Sequence, residues 1–108
     1  MENVKTQESS KSQEEPQKIM EAFDRLQKVS VILKEMGFRV IDRLITLDAL
    51  KSPTSEAGFP IVRDGRDGIR ALYTKRKGLV ILFTNGFEDP ANQKRQEVTQ
   101  RLNKEGLL

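Results

Sequence analysis

The chain has 108 residues, a formal net charge of +3, no cysteine and no histidine. That length accommodates one domain. The two missing residue types exclude disulfides, Ser-His and Cys-His nucleophile systems and the common structural zinc sites.

Charge is spread unevenly. Residues 1–16 carry four glutamates against two lysines, a balance of −2 that leaves +5 for the remainder. Six cations, Arg63, Arg66, Arg70, Lys75, Arg76 and Lys77, fall between positions 63 and 77 against Asp64 and Asp67 alone. No run of about 18 apolar residues exists, so no membrane span is predicted. The start, MENVKTQESSKSQEEPQ, lacks the apolar segment of a secretory signal. A cytoplasmic protein is expected.

Residues 1–15 are mostly Gln, Ser, Glu and Lys. They cannot bury enough surface to offset the entropy of ordering, which predicts a disordered polar tail ahead of a single α+β domain over 16–108. Ser12 with Glu15 reads as a capping box, and Pro16 suits a first helical turn. The predicted helix runs to Met36, with Gly37 just past its end. Ile19, Ala22, Phe23, Leu26, Val29, Leu33 and Met36 form one stripe at helical spacing. Met20 and Val31 lie off that stripe, with Ile32 between the two faces. These three are the candidates for partner binding or homodimer formation, the alternative being a helix buried more deeply than usual.

Phe38 to Leu47 is rich in β-branched residues and reads as a strand bent near Asp42, although Ile41, Leu44, Ile45 and Asp48 also match a helix. Asp48 to Pro60 reads as a surface loop. Ile61–Arg63 and Ile69–Tyr73 read as strands joined by the Asp-Gly turn signals of residues 64–68. Thr74 to Gly78 is a basic hairpin tip. Leu79–Phe83 has no polar residue, so both of its faces should be covered, as in a central strand. Asp89-Pro90 should cap a last helix that ends near Lys104, and its thin apolar content, Ala91, Val98 and Leu102, predicts a surface helix prone to fray. The expected fold is thus α+β: a long N-terminal helix, a mainly antiparallel sheet of three or four strands, and a C-terminal helix, in αβββα-like order.

That order is similar in outline to double-stranded RNA-binding domains. In that family a lysine-rich start to the last helix grips phosphates, whereas here Lys94-Arg95 lies a turn further on. The segment Phe38 to Phe83, with Asp67-Gly68-Ile69 before a basic turn, resembles the core of restriction-endonuclease-like nucleases. Those hold Mg²⁺ with a carboxylate and a Glu/Asp-x-Lys, and Leu79 to Thr84 supplies neither acid nor lysine. The chain contains no Gly-x-Gly-x-x-Gly and no Walker motif.

The functional expectation is a non-catalytic interaction or regulatory module without a cofactor. Its binding edge would be Arg63, Arg66, Arg70, Tyr73, Lys75, Arg76 and Lys77, with the cations on phosphates and the Tyr73 ring stacked on a base. The partner is nucleic acid or an acidic protein surface. The rival is a protein adaptor or homo-oligomer that uses the apolar strip of helix 1 or a sheet edge. A metal-dependent enzyme built on Asp42, Asp48, Asp64 or Asp67 stands third. The bland reading makes the cations a solvated strand edge that resists aggregation.

Overall fold

Apolar residues recur along the first helix at the spacing of one face, and that face becomes the core. The computed structural model describes residues 2–51 and 57–108, with side chains from Pro16 onward. Helix α1 spans Glu2–Glu35. Ala22, Leu26, Val29 and Leu33 are buried, and Ile19, Phe23 and Met36 pack beside them. The helix does not begin at Ser12 to Pro16; Pro16 lies inside it. A proline there removes one N–H from the helical ladder, a local loss within a long helix. The expected polar tail, residues 1–15, lies outside the residues whose side chains are described.

Ile32, read as lying between faces, is a core residue at 7% exposure. Its neighbour is Leu107, which is also buried. The C-terminal turn thus covers the flank of α1 that the stripe alone leaves open. Both α1 and the last helix close with paired backbone bonds of one type: Phe38 N–H to Leu33 O and Gly37 N–H to Lys34 O, then Leu107 N–H to Leu102 O and Gly106 N–H to Asn103 O.

Strands β1 (Phe59–Asp64), β2 (Asp67–Thr74) and β3 (Gly78–Thr84) form one antiparallel sheet in the order β1-β2-β3. The all-apolar run Leu79–Phe83 is therefore on an edge strand, not the central one, and every β3 residue is half-buried. Register explains the discrepancy. Leu79, Ile81 and Phe83 sit opposite Tyr73, Ala71 and Ile69 on the core face, while Val80 and Leu82 sit opposite Leu72 and Arg70 on the outer face. The central strand β2 reads as mixed because its outer face carries Arg70 and Thr74.

Phe38 to Leu47 is not a strand. Val40 makes one antiparallel bridge to Val62, and Ile41 N–H donates to Ile61 O at 2.8 Å. The chain then turns through a 3₁₀ segment, Asp42–Leu44, into α2 (Leu47–Lys51), which buries Leu50. Two causes are visible. The β1–β2 register shifts between Pro60 and Val62, which marks an irregularity where a neighbouring strand would pair. In addition, turning at Asp42 keeps its carboxylate in solvent, 2.8 Å from Lys34 Nζ, instead of on an apolar face. The expected surface loop is thus helical at its start, and residues 52–56 lie outside the described residues. Gly58 resumes the chain at φ 71°, where an added Cβ would stand 2.0 Å from Ala71 O.

Helix α3 (Gln93–Lys104) is capped by Asn92, whose side chain accepts from the Arg95 amide at 3.0 Å. Asp89 does not cap it. Its Oδ1 accepts from Ala91 N–H at 2.9 Å and shapes the preceding turn. Val98 and Leu102 are buried, so the helix is anchored in the core and is more than the fraying surface helix its thin apolar content suggests. Phe87 packs edge-on against Phe38 with ring centroids 6.1 Å apart. All three helices thus bury residues against the Ile69 face of the sheet. Among the described residues no helix is long and apolar enough to cross a membrane.

Candidate nucleic-acid interface

The seven residues expected to form one basic edge are divided by the pleat of β2. Arg63 lies opposite Gly68, and Arg70 lies opposite Pro60 and Leu82, which puts both on the outer face. Arg66 is exposed in the β1–β2 turn. These three arginines line a hollow of about 190 Å³ together with Pro60, Gly68 and Thr84. Gly68 keeps it open: a Cβ there would come within 3.0 Å of Thr84 Oγ1 and of Val62 O. Arg70 is fixed by two bonds, Nε to Ala57 O at 2.9 Å and Nη2 to Gly58 O at 2.6 Å. Its charge stays at the rim while two of its donors hold the chain that enters β1.

Tyr73 points the other way. It pairs with Leu79 and packs against the core, so its ring cannot stack on a base held by the three arginines. Lys75 and Lys77, with Tyr73, line a different groove of about 320 Å³, completed by Lys18, Glu21 and Arg25 of α1. Arg76 is exposed at the tip of the turn. Thr74 Oγ1 accepts from Lys77 N–H at 3.0 Å and orders that turn. From Gly68 to Thr74 the strand runs roughly 20 Å. The basic residues therefore form two sites, at opposite ends of β2 and on opposite faces of the sheet.

Two arginines that the sequence reading passed over join the first site. Arg39, Arg43 and Arg63 border a groove of about 600 Å³ lined by Val40, Ile41 and Leu44. Arg63 and Gly65 belong to both this groove and the hollow, so the two are continuous. The result is a band of five arginines: Arg39, Arg43, Arg63, Arg66 and Arg70. Pairing of Val40 with Val62 and of Ile41 with Ile61 brings Arg39 and Arg43 there. Their spacing of four was visible in the sequence, but their destination was not.

The acids around the band are already bonded. Asp42 pairs with Lys34 and Asp64 with Lys94, each at 2.8 Å. Asp67 Oδ1 accepts from Gly86 N–H at 2.8 Å. Glu97, beside Arg39 and Arg63, accepts from Gln93 at 3.3 Å. The hydrogen bond from Asp64, with its charge, raises the Lys94 ammonium above its ordinary pKa. Among the described residues, Arg39, Arg43, Arg63 and Arg66 have no ion pair, and no three Asp or Glu side chains gather into a metal-binding group.

Comparison with known protein families, curated proteins and solved structures gives no match. The chemistry on offer is that of the geometry itself. Guanidinium forks bind phosphate and carboxylate oxygens bidentately, and the band presents several at once. Among the described residues the exposed large apolar side chains are Met20, Val31 and Leu108, while Phe38, which lines a hollow with Arg39 and Arg63, is half-buried and packs edge-on against Phe87. Met20 and Val31 are each about half exposed. Asp24, Gln27 and Lys28 are exposed along the same stretch of helix.

Proposed function

We propose that this chain is a non-catalytic module that binds the phosphate backbone of nucleic acid without reading its bases. The carrying observation is the band of five arginines whose neighbouring carboxylates are bonded elsewhere. Arginine suits phosphate better than lysine because its planar fork makes two parallel bonds. With the adjoining ring, Phe38, half-buried and packed on Phe87, the band favours contacts to the sugar–phosphate backbone, and these position a duplex without specifying sequence.

The test is a fluorescence-anisotropy titration of labelled duplexes of unrelated sequence. Five phosphate contacts imply that affinity falls about 10²–10³-fold between about 50 and 200 mM salt. Arg63→Glu with Arg66→Glu should weaken binding strongly and to the same degree for every sequence. Affinity no better than the high micromolar range at about 50 mM salt, or a curve indifferent to salt, would overturn the proposal.

A second reading draws on Leu72, Val80 and Leu82. They share the outer face, are half-buried and stand outside the core, with Arg70 beside them. An apolar centre rimmed by cations also suits an acidic protein. A discrete protein recovered from nuclease-treated lysate, and lost on Leu72→Lys with Leu82→Lys, would favour that reading.

A further inference from the structure

We infer that the groove between α1 and the β2–β3 turn is a second, independent polyanion site, and that the chain bridges two nucleic-acid duplexes. The inference rests on the phosphate-backbone reading for the first site, the arginine band.

The second groove is built from two elements. Lys18 and Arg25 are seven residues apart on α1, two helical turns, and so project from the same side of the helix. Lys75 and Lys77 come from the β2–β3 turn, whose form is held by the Thr74 hydroxyl. All four cations are exposed. Among the described lining residues Lys18, Arg25 and Lys77 alone outnumber the one acid, Glu21. Tyr73 and Leu79 line the groove on the sheet side. The elements that position the four cations are thus tied to the core and not left to a loose tail.

The placement of the two sites decides between one ligand and two. The arginine band occupies the outer face at the β1–β2 end. The second groove lies on the helix side at the other end of β2, roughly 20 Å along the strand and across the thickness of the sheet. A single duplex would have to bend sharply around the β3 edge to touch both. Duplex DNA has a persistence length of about 50 nm, so smooth bending over such a distance is very costly. Two separate duplexes, one on each face, meet no such cost.

A bead assay tests this. A biotinylated short duplex is immobilised, the full chain is added, and capture of a second, fluorescently labelled duplex is measured at about 50 mM salt. The wild-type chain should retain the labelled duplex. Lys18→Glu with Arg25→Glu should still bind one duplex in anisotropy, through the band, but lower capture about tenfold or more. Lys77→Glu, on the other element, should do the same and guards against an effect confined to α1. Thermal midpoints should stay at the wild-type value because all three side chains are exposed. Wild-type chain that binds one duplex but leaves the labelled one in the wash, or groove variants that bridge as well as wild type, would overturn the second site while leaving the first. Failure to bind even a single duplex would instead remove the phosphate-backbone reading itself.

Discussion

Lys94 Nζ stands 2.8 Å from Asp64 Oδ2, which ties the first turn of α3 to the end of β1. The pair is solvent-exposed and adds little to stability. Its consequence is electrostatic: it occupies the carboxylate that lies between Arg63 and Arg66 in the chain. Lys94→Met should free Asp64 to pair with an arginine and weaken duplex binding several-fold. Asp64→Asn added to that variant should restore it. A double variant as weak as the single one would show that Lys94 contacts the ligand itself.

The pH dependence follows from the same pair. The Lys94 ammonium titrates above its ordinary value of 10.5 because Asp64 bonds to the charged form. A raised pKa means that the pair contributes fully below 10.5 and is lost as pH rises through the raised value. Binding should therefore show no Lys94-linked change across neutral pH and decline only in strong alkali. A step near neutrality that Lys94→Met removes would contradict this assignment.

Arg70 and Arg66 should separate stability from binding. Arg70 donates to two backbone carbonyls, so Arg70→Ala should cost about 1–3 kcal/mol in urea unfolding. Arg66 makes no such side-chain bond, so Arg66→Ala should leave unfolding unchanged and weaken duplex binding. Equal unfolding midpoints for the two variants would contradict the role given to Arg70.

The sheet makes a further contrast. Ile69 is fully buried on the central strand, and Ile69→Ala should cost about 2–5 kcal/mol. Leu82, half-buried on the outer face of the edge strand, should cost clearly less. A loss at Leu82 as large as at Ile69 would mean that the outer face is covered.

That contrast also marks how far the sequence can be read. The α1 stripe, the Asp64–Asp67 turn and the α+β order follow from local periodicity and turn chemistry. The edge position of β3 does not, because an apolar run has the same sequence whether a second strand or bulk solvent lies beyond it. The Arg63, Arg66 and Arg70 cluster was legible because a hairpin folds locally. Arg39 and Arg43 were not, because long-range pairing of Val40 and Ile41 with β1 delivers them. Tyr73 was half legible: it shares a groove with Lys75 and Lys77, but its face of the strand parts it from Arg63, Arg66 and Arg70. Tyr73→Ala should accordingly lower the unfolding midpoint and leave single-strand binding through the arginine band unchanged.

The most direct measurement is the slope of log affinity against log salt for a short duplex, compared between the wild-type chain and Arg63→Gln with Arg66→Gln. The arginine band predicts a wild-type slope of about −4 to −5 that becomes shallower by about 1 for each arginine removed. A wild-type slope near zero, or a slope unchanged in the double variant, would contradict it.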